Sequence, residues 1–430
     1  MFDYLTAIVA EHNSLNYRTI NKSERRLSCN PRNPAFFQNP YQVYAELHEN
    51  CPAFFWEEYG HWCFAGWDDV NALLRDKRFG RQILHVATRE ELGWPEPAPH
   101  LEHFAAIDEH SLLELEPPEH TRLRTLVNRA FVSRQVEQLR PRIETLANEL
   151  IDGFIEKGKV ELLEAFCAPI PVLIISEMLG VPTHMAPQLL DWSHRMVSMY
   201  SFGHDEAIEH DANAAARDFA AYIKQLADEK RKNPGEDLIS YMITTEHRGQ
   251  ILTDEELIST SVLLLNAGHE ATVHQAGNAI KTIIEFGADP KVLFETQLST
   301  ENVVLECLRY DAPLHMFTRF ALSDIQLENG ISLKKGDSIG LLLGAANRDP
   351  KRFANANTFN PHRTDQANVS FGAGIHFCIG TPLARIELQA ALKILFDRLP
   401  NLKLDEAPRY RNSYHFNGLE KLNASWSQPR

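Results

Sequence analysis

The sequence predicts a mainly α protein, an α-rich body with a small β subdomain. Three observations predict it. Most of the 430 residues show helix-period apolar spacing, strand signals are few and short, and the two kinds come in blocks. A little β is followed by a long helical stretch, an irregular stretch and a final helix. That order is not the βαβ alternation of a doubly wound sheet.

Residues 1–33 are polar and irregular and are expected to form a partly ordered leader. By length, the chain would hold two or three domains or one large one. Helices are predicted over 40–50, 67–76, 119–131, 133–152, 167–180, 183–200, 206–232, 236–245, 253–286, 299–310 and 380–398. Strands are predicted over 53–56, 61–65, 317–327 and 338–343. Pro117 and Pro118 suit the start of the helix at 119. The segment 253–286 opens with Thr253-Asp-Glu-Glu, a capping-box pattern. Its roughly 34 residues would reach about 50 Å at 1.5 Å per residue. Segment 344–377 is rich in Asn, Asp, Pro and Gly, and loops of that length usually serve function.

Composition narrows the function. Apolar residues make up 44% and charged residues 23%, as in a globular protein with a large core. The 58 acids outnumber the 43 bases, giving −15, which disfavours nucleic acid as a partner. Six sparse cysteines (29, 51, 63, 167, 307 and 378) without a CxxC point to a reduced, cytoplasmic chain. No apolar run of about 18 residues predicts a membrane span. The N-terminus lacks the basic start of a signal peptide.

The sharpest segment is Phe371-Gly-Ala-Gly-Ile-His-Phe-Cys-Ile-Gly380. Its glycines allow a backbone hairpin to approach a flat ligand closely. Cys378 precedes a helix expected to start near 379–380, where the dipole and free N–H groups favour a thiolate. That suits an anionic sulfur ligand to a metal. The string F-G-x-G-x-H-x-C-x-G resembles the haem-binding signature of the cytochrome P450 superfamily. The resemblance covers roughly residues 34–430 and implies a single domain of the P450 fold, haem b as cofactor, Cys378 as the thiolate ligand of its iron, and Phe371, Gly372 and Gly380 as further haem-binding residues. A thiolate pushes electron density onto iron and favours O–O cleavage.

Other segments agree in order. Glu306-Cys-Leu-Arg309 resembles the family's E-x-x-R, with Arg363 of Phe359-Asn-Pro-His-Arg363 as the expected third member of an ion network. His120 and Arg124 share a helix face, and with Arg319 and His376 they resemble the family's propionate partners. Leu264-Leu-Asn-Ala-Gly-His-Glu-Ala-Thr272 resembles the oxygen-activation segment A-G-x-[D/E]-T. Ala267 and Gly268 would leave room for O2, and Glu270 would feed protons inward. The chain departs from the pattern at Ala271, where threonine is usual. Thr272 stands one place late, about 100° round the helix. Proton delivery is expected to use Thr272 with water, Glu270 through water, or a substrate hydroxyl.

Two rivals fail. His269 and His274 are five apart, about 140° round a regular helix, so they cannot form an H-E-x-x-H zinc pair. Gly372, Gly374 and Gly380 miss the G-x-G-x-x-G spacing, and no βαβ unit surrounds them. The resemblance implies a monooxygenase. A peroxide-using enzyme and a non-catalytic haem sensor remain alternatives. It also implies a pocket lined from five places: Ile83, Leu84 and Val86; Met196, Met199, Tyr200 and Phe202; Leu263, Ala267 and Ala271; Leu314, Met316 and Phe317; and Tyr414, His415 and Phe416. A small or medium, largely apolar substrate is expected. No reductase is fused within the 430 residues, so electrons are expected from an external ferredoxin and ferredoxin reductase fed by NAD(P)H. Six arginines over 119–142 (122, 124, 129, 134, 140 and 142), against two acids, form an expected dock for that acidic carrier. A monomer is expected.

Overall fold

The computed structural model describes residues 17–130, 136–247 and 249–427. Its helices of seven or more residues are α1 (Tyr41–Asn50), α2 (Trp67–Leu73), α3 (Glu102–Glu109), α4 (Glu119–Ala130), α5 (Arg140–Asp152), α6 (Pro169–Leu179), α7 (Ala186–Val197), α8 (Glu206–Lys232), α9 (Leu238–Thr244), α10 (Asp254–Phe286), α11 (Gln297–Tyr310) and α12 (Thr381–Arg398). About 52% of the chain is helical. No helix among the described residues is long and apolar enough to cross a membrane.

The β part is one seven-stranded sheet with two small ones. Its strands are β1 (Arg18–Asn21), β2 (Arg26–Cys29), β3 (Ala53–Trp56), β4 (His61–Phe64), β5 (Phe79–Gly80), β6 (Lys159–Glu161), β7 (Met316–Ala321), β8 (Ile325–Gln326), β9 (Ser332–Leu333), β10 (Ser338–Leu342), β11 (Lys403–Leu404) and β12 (Asn423–Ser425). The large sheet runs β1-β2-β3-β4-β10-β7-β5. Antiparallel β7 and β10 pair in register from Met316↔Leu342 to Phe320↔Ser338. This pairing carries Arg319 and Phe317 beside the body's main cavity.

Local chemistry explains the boundaries. α10 has both arms of the predicted capping box: Thr253 Oγ1 accepts from the Glu256 N–H and Glu256 accepts from the Thr253 N–H. It stays α-helical throughout and touches α6, α7, α8, α11 and α12, so it threads the core. The helix expected over 133–152 is interrupted at 138–139 and runs again from Arg140, because Pro141 belongs in a first turn. Residues 131–135, including Arg134, and residues 1–16 of the leader lie outside the described residues. Residues 18–29, expected to be irregular, form the β1–β2 hairpin at the sheet edge. Their four-residue strands are too short for a period-2 signal. The single strand expected over 317–327 splits into β7 and β8. Asp324 sits at the break, accepting from the Lys335 N–H and pairing with Lys334.

Candidate active site

Between α10 and the 371–380 loop lies a cavity of about 460 Å³. Met196, Leu263, Ala267, Ala271, Leu314, Met316, Phe317 and Phe416 line it, as do Tyr200, Phe202, Tyr414 and His415. Ile83 and Met199, expected in the lining, are not part of it. Ile83 is fully buried in its loop, and Met199 packs against the helical core. Leu84 and Val86 are exposed. An apolar residue in a flanking loop can point to either side, which is why these assignments failed.

The 371–380 loop is closed by the Cys378 N–H donating to the Phe371 carbonyl at 3.0 Å. Gly372 and Gly374 have φ of +69° and +73°, where L side chains are strained. A Cβ on Gly374 would stand 2.4 Å from the Leu74 carbonyl oxygen. Both glycines thus answer a left-handed backbone conformation, and Gly374 also the close approach of the 74–75 backbone. Cys378 is the one cysteine of six that is exposed, and its exposed surface opens onto the cavity with Phe371 and Gly380. Burial pushes its thiol up, against the pull of the Gly380 N–H, Thr381 and Arg124. The helix start does pull the thiol down, through Gly380 and Thr381, and burial outweighs that pull.

Cations converge on the same space. Arg319 lines the cavity, is buried, and among the described residues hydrogen-bonds only the Thr318 carbonyl. Burial, with Arg81 beside it, pulls it down to about 9. Arg124 lines the cavity and donates to the Phe377 carbonyl. Burial lowers it, with Cys378 opposing. His376 reaches the cavity, with Nε2 3.2 Å from Glu116. His120 is not a lining residue. Its ring packs on His376 with centroids 4.4 Å apart, and its buried Nε2 has no partner. Burial, with His376 and Arg124 adding, lowers its pKa to about 4.

On the opposite wall, α10 is regular across residues 264–272, and Glu270 and Thr272 line the cavity beside Ala271 without any bulge. Its hydroxyl donates to the Gly268 carbonyl at 3.4 Å. A Cβ on Gly268 would meet Ile175 of α6 at 3.1 Å, so that glycine serves helix packing as well as the cavity. Glu270 is buried among three histidines. His194 Nε2 is 3.0 Å and His269 Nε2 3.5 Å from Oε1, and His274 Nε2 is 3.4 Å from Oε2. Burial pushes the Glu270 carboxyl up, but the three imidazoles outweigh it and hold it well below the usual carboxylate range. Sequence reasoning missed His194, Arg81 and Asp108. They come from other elements and carry no local motif.

Glu306 and Arg309 form a fully buried bidentate pair, with both N···O distances 2.7 Å. Arg363 Nε stands 3.4 Å from Glu306. Arg309 also donates to the carbonyls of Asn347 and Ala356. Asn347 donates to Ser370 Oγ, which donates to the Leu308 carbonyl. The network thus reaches the residue before Phe371. The arginines expected as a dock are largely engaged. Arg122 pairs with Glu256, Arg140 with Glu137, and Arg142 with Glu149 and Glu177. Arg129 donates to the Glu246 carbonyl, and Arg124 turns inward. A charge count along the sequence did not register acids contributed by other helices.

Comparison with known proteins agrees with this architecture. A family profile described as Cytochrome P450 matches residues 297–415. The polyketide biosynthesis cytochrome P450 PksS of Bacillus subtilis is 34% identical over 413 residues, covering 94% of this chain and 100% of its own. The chain belongs to the cytochrome P450 family. Cytochrome P450 monooxygenase PikC of Streptomyces venezuelae is 35% identical, covering 92% of this chain and 93% of its own. The crystal structure of P450BioI in complex with a hexadec-9Z-enoic acid ligated acyl carrier protein superposes with a TM-score of 0.85. It is 32% identical, covering 92% of this chain and 99% of that one. This P450 is accordingly a monooxygenase, an oxidoreductase.

The family implies haem ligated by a cysteine thiolate. The residues present fit that group. The cavity holds one open thiol, a buried guanidinium with no carboxylate on it, and beside these an orphaned buried imidazole nitrogen. Unpaired buried cations are costly. A flat dicarboxylate would relieve that cost.

Proposed function

We propose that this P450 holds haem b through Cys378 and inserts one atom of O2 into a small or medium, largely apolar substrate, by hydroxylation or O-dealkylation. The observation that carries the reading is the open thiol of Cys378 facing α10 across a cavity that also holds buried Arg319. When bound, haem supplies the iron at which O2 is activated, with thiolate electron density favouring O–O cleavage.

The chain's own residues divide the remaining work. The Phe371–Cys378 hydrogen bond fixes the sulfur's direction. Arg124, Arg319 and His376, with His120 behind, hold the propionates by charge-assisted bonds. Leu263, Leu314, Met316, Phe317 and Phe416 exclude water and orient an apolar substrate. Ala271 offers no hydroxyl, and the Thr272 hydroxyl is engaged by its own helix. Protons therefore enter from the outer face, where half-exposed His194 meets Glu270, and cross to the oxygen site by water with Thr272 as a secondary donor. An external ferredoxin and its NAD(P)H-fed reductase supply the electrons in the cytoplasm.

Relatives carry polyketide and biotin biosynthesis in their names, and one structure holds an acyl-carrier-bound fatty acid. A fatty-acyl or polyketide chain is the substrate class these favour. The test is a binding-spectrum screen of fatty acids, macrolactones and terpenoids, free and carrier-bound. Turnover of the hits with ferredoxin, reductase and NAD(P)H follows. Product under those conditions supports the reading. Product with peroxide alone would overturn the electron route.

A further inference from the structure

The group around Glu270 contains a mismatch that hydrogen bonding leaves standing. His269 Nδ1 lies 2.7 Å from the Leu265 carbonyl oxygen. A carbonyl only accepts, so Nδ1 carries the ring hydrogen, and Nε2 of the neutral ring is a bare lone pair. That lone pair faces Glu270 Oε1 at 3.5 Å. His194 Nε2 approaches the same oxygen at 3.0 Å. Neither His269 Nε2 nor Glu270 Oε1 has a hydrogen-bond partner, and their residues are 2% and 5% exposed. With His269 in its neutral form the contact sets two acceptors face to face, and a cation between them would satisfy both.

Ligand atoms of His194, His269 and Glu270 all lie within 4.8 Å of one another. Zinc bonds of about 2.0–2.2 Å set tetrahedral ligands about 3.3–3.5 Å apart. The two separations to Glu270 are already close to that. The remaining gap closes by rotation of His194, whose side chain is 54% exposed near the end of α7. The Leu265 carbonyl on Nδ1 is the outer partner that a ligating imidazole takes, fixing its tautomer. His274 faces the other carboxylate oxygen and steadies it.

We propose that His194, His269 and Glu270 form a divalent-cation site of the two-imidazole, one-carboxylate class that zinc takes, bridging α7 and α10. The sequence excluded a zinc pair made by His269 and His274 on one helix face. The site arises because the second imidazole comes from another helix, with solvent access through His194. A bound cation would occupy Glu270 and slow turnover. That consequence rests on the proton route proposed above, but the binding does not.

A second group, His100, Glu206 and His210, also brings ligand atoms together. It is more exposed, and His100 is already engaged by Glu209 at 2.6 Å. The experiment therefore uses haem-loaded, chelator-stripped protein carrying His210→Ala. It measures zinc retained in equilibrium dialysis against Zn2+. One zinc per chain is expected, weakened about tenfold or more by adding His194→Ala or His269→Gln. The exposed His194 variant folds even if the buried one does not. No bound zinc, or binding undiminished by His194→Ala, overturns the site. Zinc that binds without slowing product formation leaves the site standing and overturns the proton route instead.

Discussion

The two walls of the cavity are built on different plans. The Cys378 wall is one stretch of chain, residues 371–380, shaped by left-handed glycines and tied through Ser370 and Asn347 to the buried Glu306–Arg309 pair. The α10 wall is assembled from distant pieces. Glu270 and two histidines come from one helix and His194 from another. The first is a scaffold whose loss should be all or none. The second is a polar cluster whose members should fail by degrees.

The largest effect is expected beneath the Cys378 wall. Arg309→Ala leaves buried Glu306 with only Arg363 and the Asn360 N–H as partners, at a cost of up to about 3–5 kcal/mol. Thermal unfolding of the two proteins measures it. A variant melting within a degree or two of the parent would show that the pair does not hold the loop. Next come Arg319→Ala and Arg124→Ala, which should lower haem retention, Arg319→Ala more so because that guanidinium is the more buried. Haem-to-protein ratios after dialysis report this, and unchanged ratios in both variants would remove the propionate assignment.

The other wall should respond more gently. Glu270→Gln keeps shape and removes the carboxylate, so product per NAD(P)H should fall about tenfold or more, with substrate affinity nearly unchanged. Thr272→Ala should cost less, because its hydroxyl already bonds Gly268. Equal losses in the two variants would mean that helix position does not set the proton route. The smallest effect concerns Asp108 at the cavity rim. Burial pushes its carboxyl up to about 7, with Glu114 adding and Arg81 opposing. An acid that holds its proton more tightly when folded adds stability at low pH and loses it as pH rises from about 4 through 7. The stability of Asp108→Asn relative to the parent should therefore rise between pH 5 and 8. A pH-independent difference would contradict that ionisation.

The contrast between the walls also explains what the sequence made legible. The 371–380 string, the capping box at Thr253 and the Glu306–Arg309 spacing are local, and each carries its meaning within a few residues. The partners of Glu270 do not. His194 sits in an ordinary amphipathic helix, and only the packing of α7 on α10 gives it a role. The same blindness made 119–142 read as a basic face, because Glu177 and Glu256 pair its arginines from other helices. Ile83 and Met199 failed as pocket residues because apolarity does not say which side of a loop points inward. The β1–β2 hairpin escaped notice because its strands are stabilised by pairing with each other and with β3.

The central claim is that Cys378 supplies the thiolate. The direct measurement is the reduced carbon-monoxide difference spectrum of the haem-loaded protein beside Cys378→Ser and Cys307→Ser. Cys307 is buried, away from the cavity, and serves as the control. The thiolate-type band is expected in the parent and in Cys307→Ser, and it should be absent from Cys378→Ser at comparable haem content. A thiolate-type band persisting in Cys378→Ser would contradict the assignment.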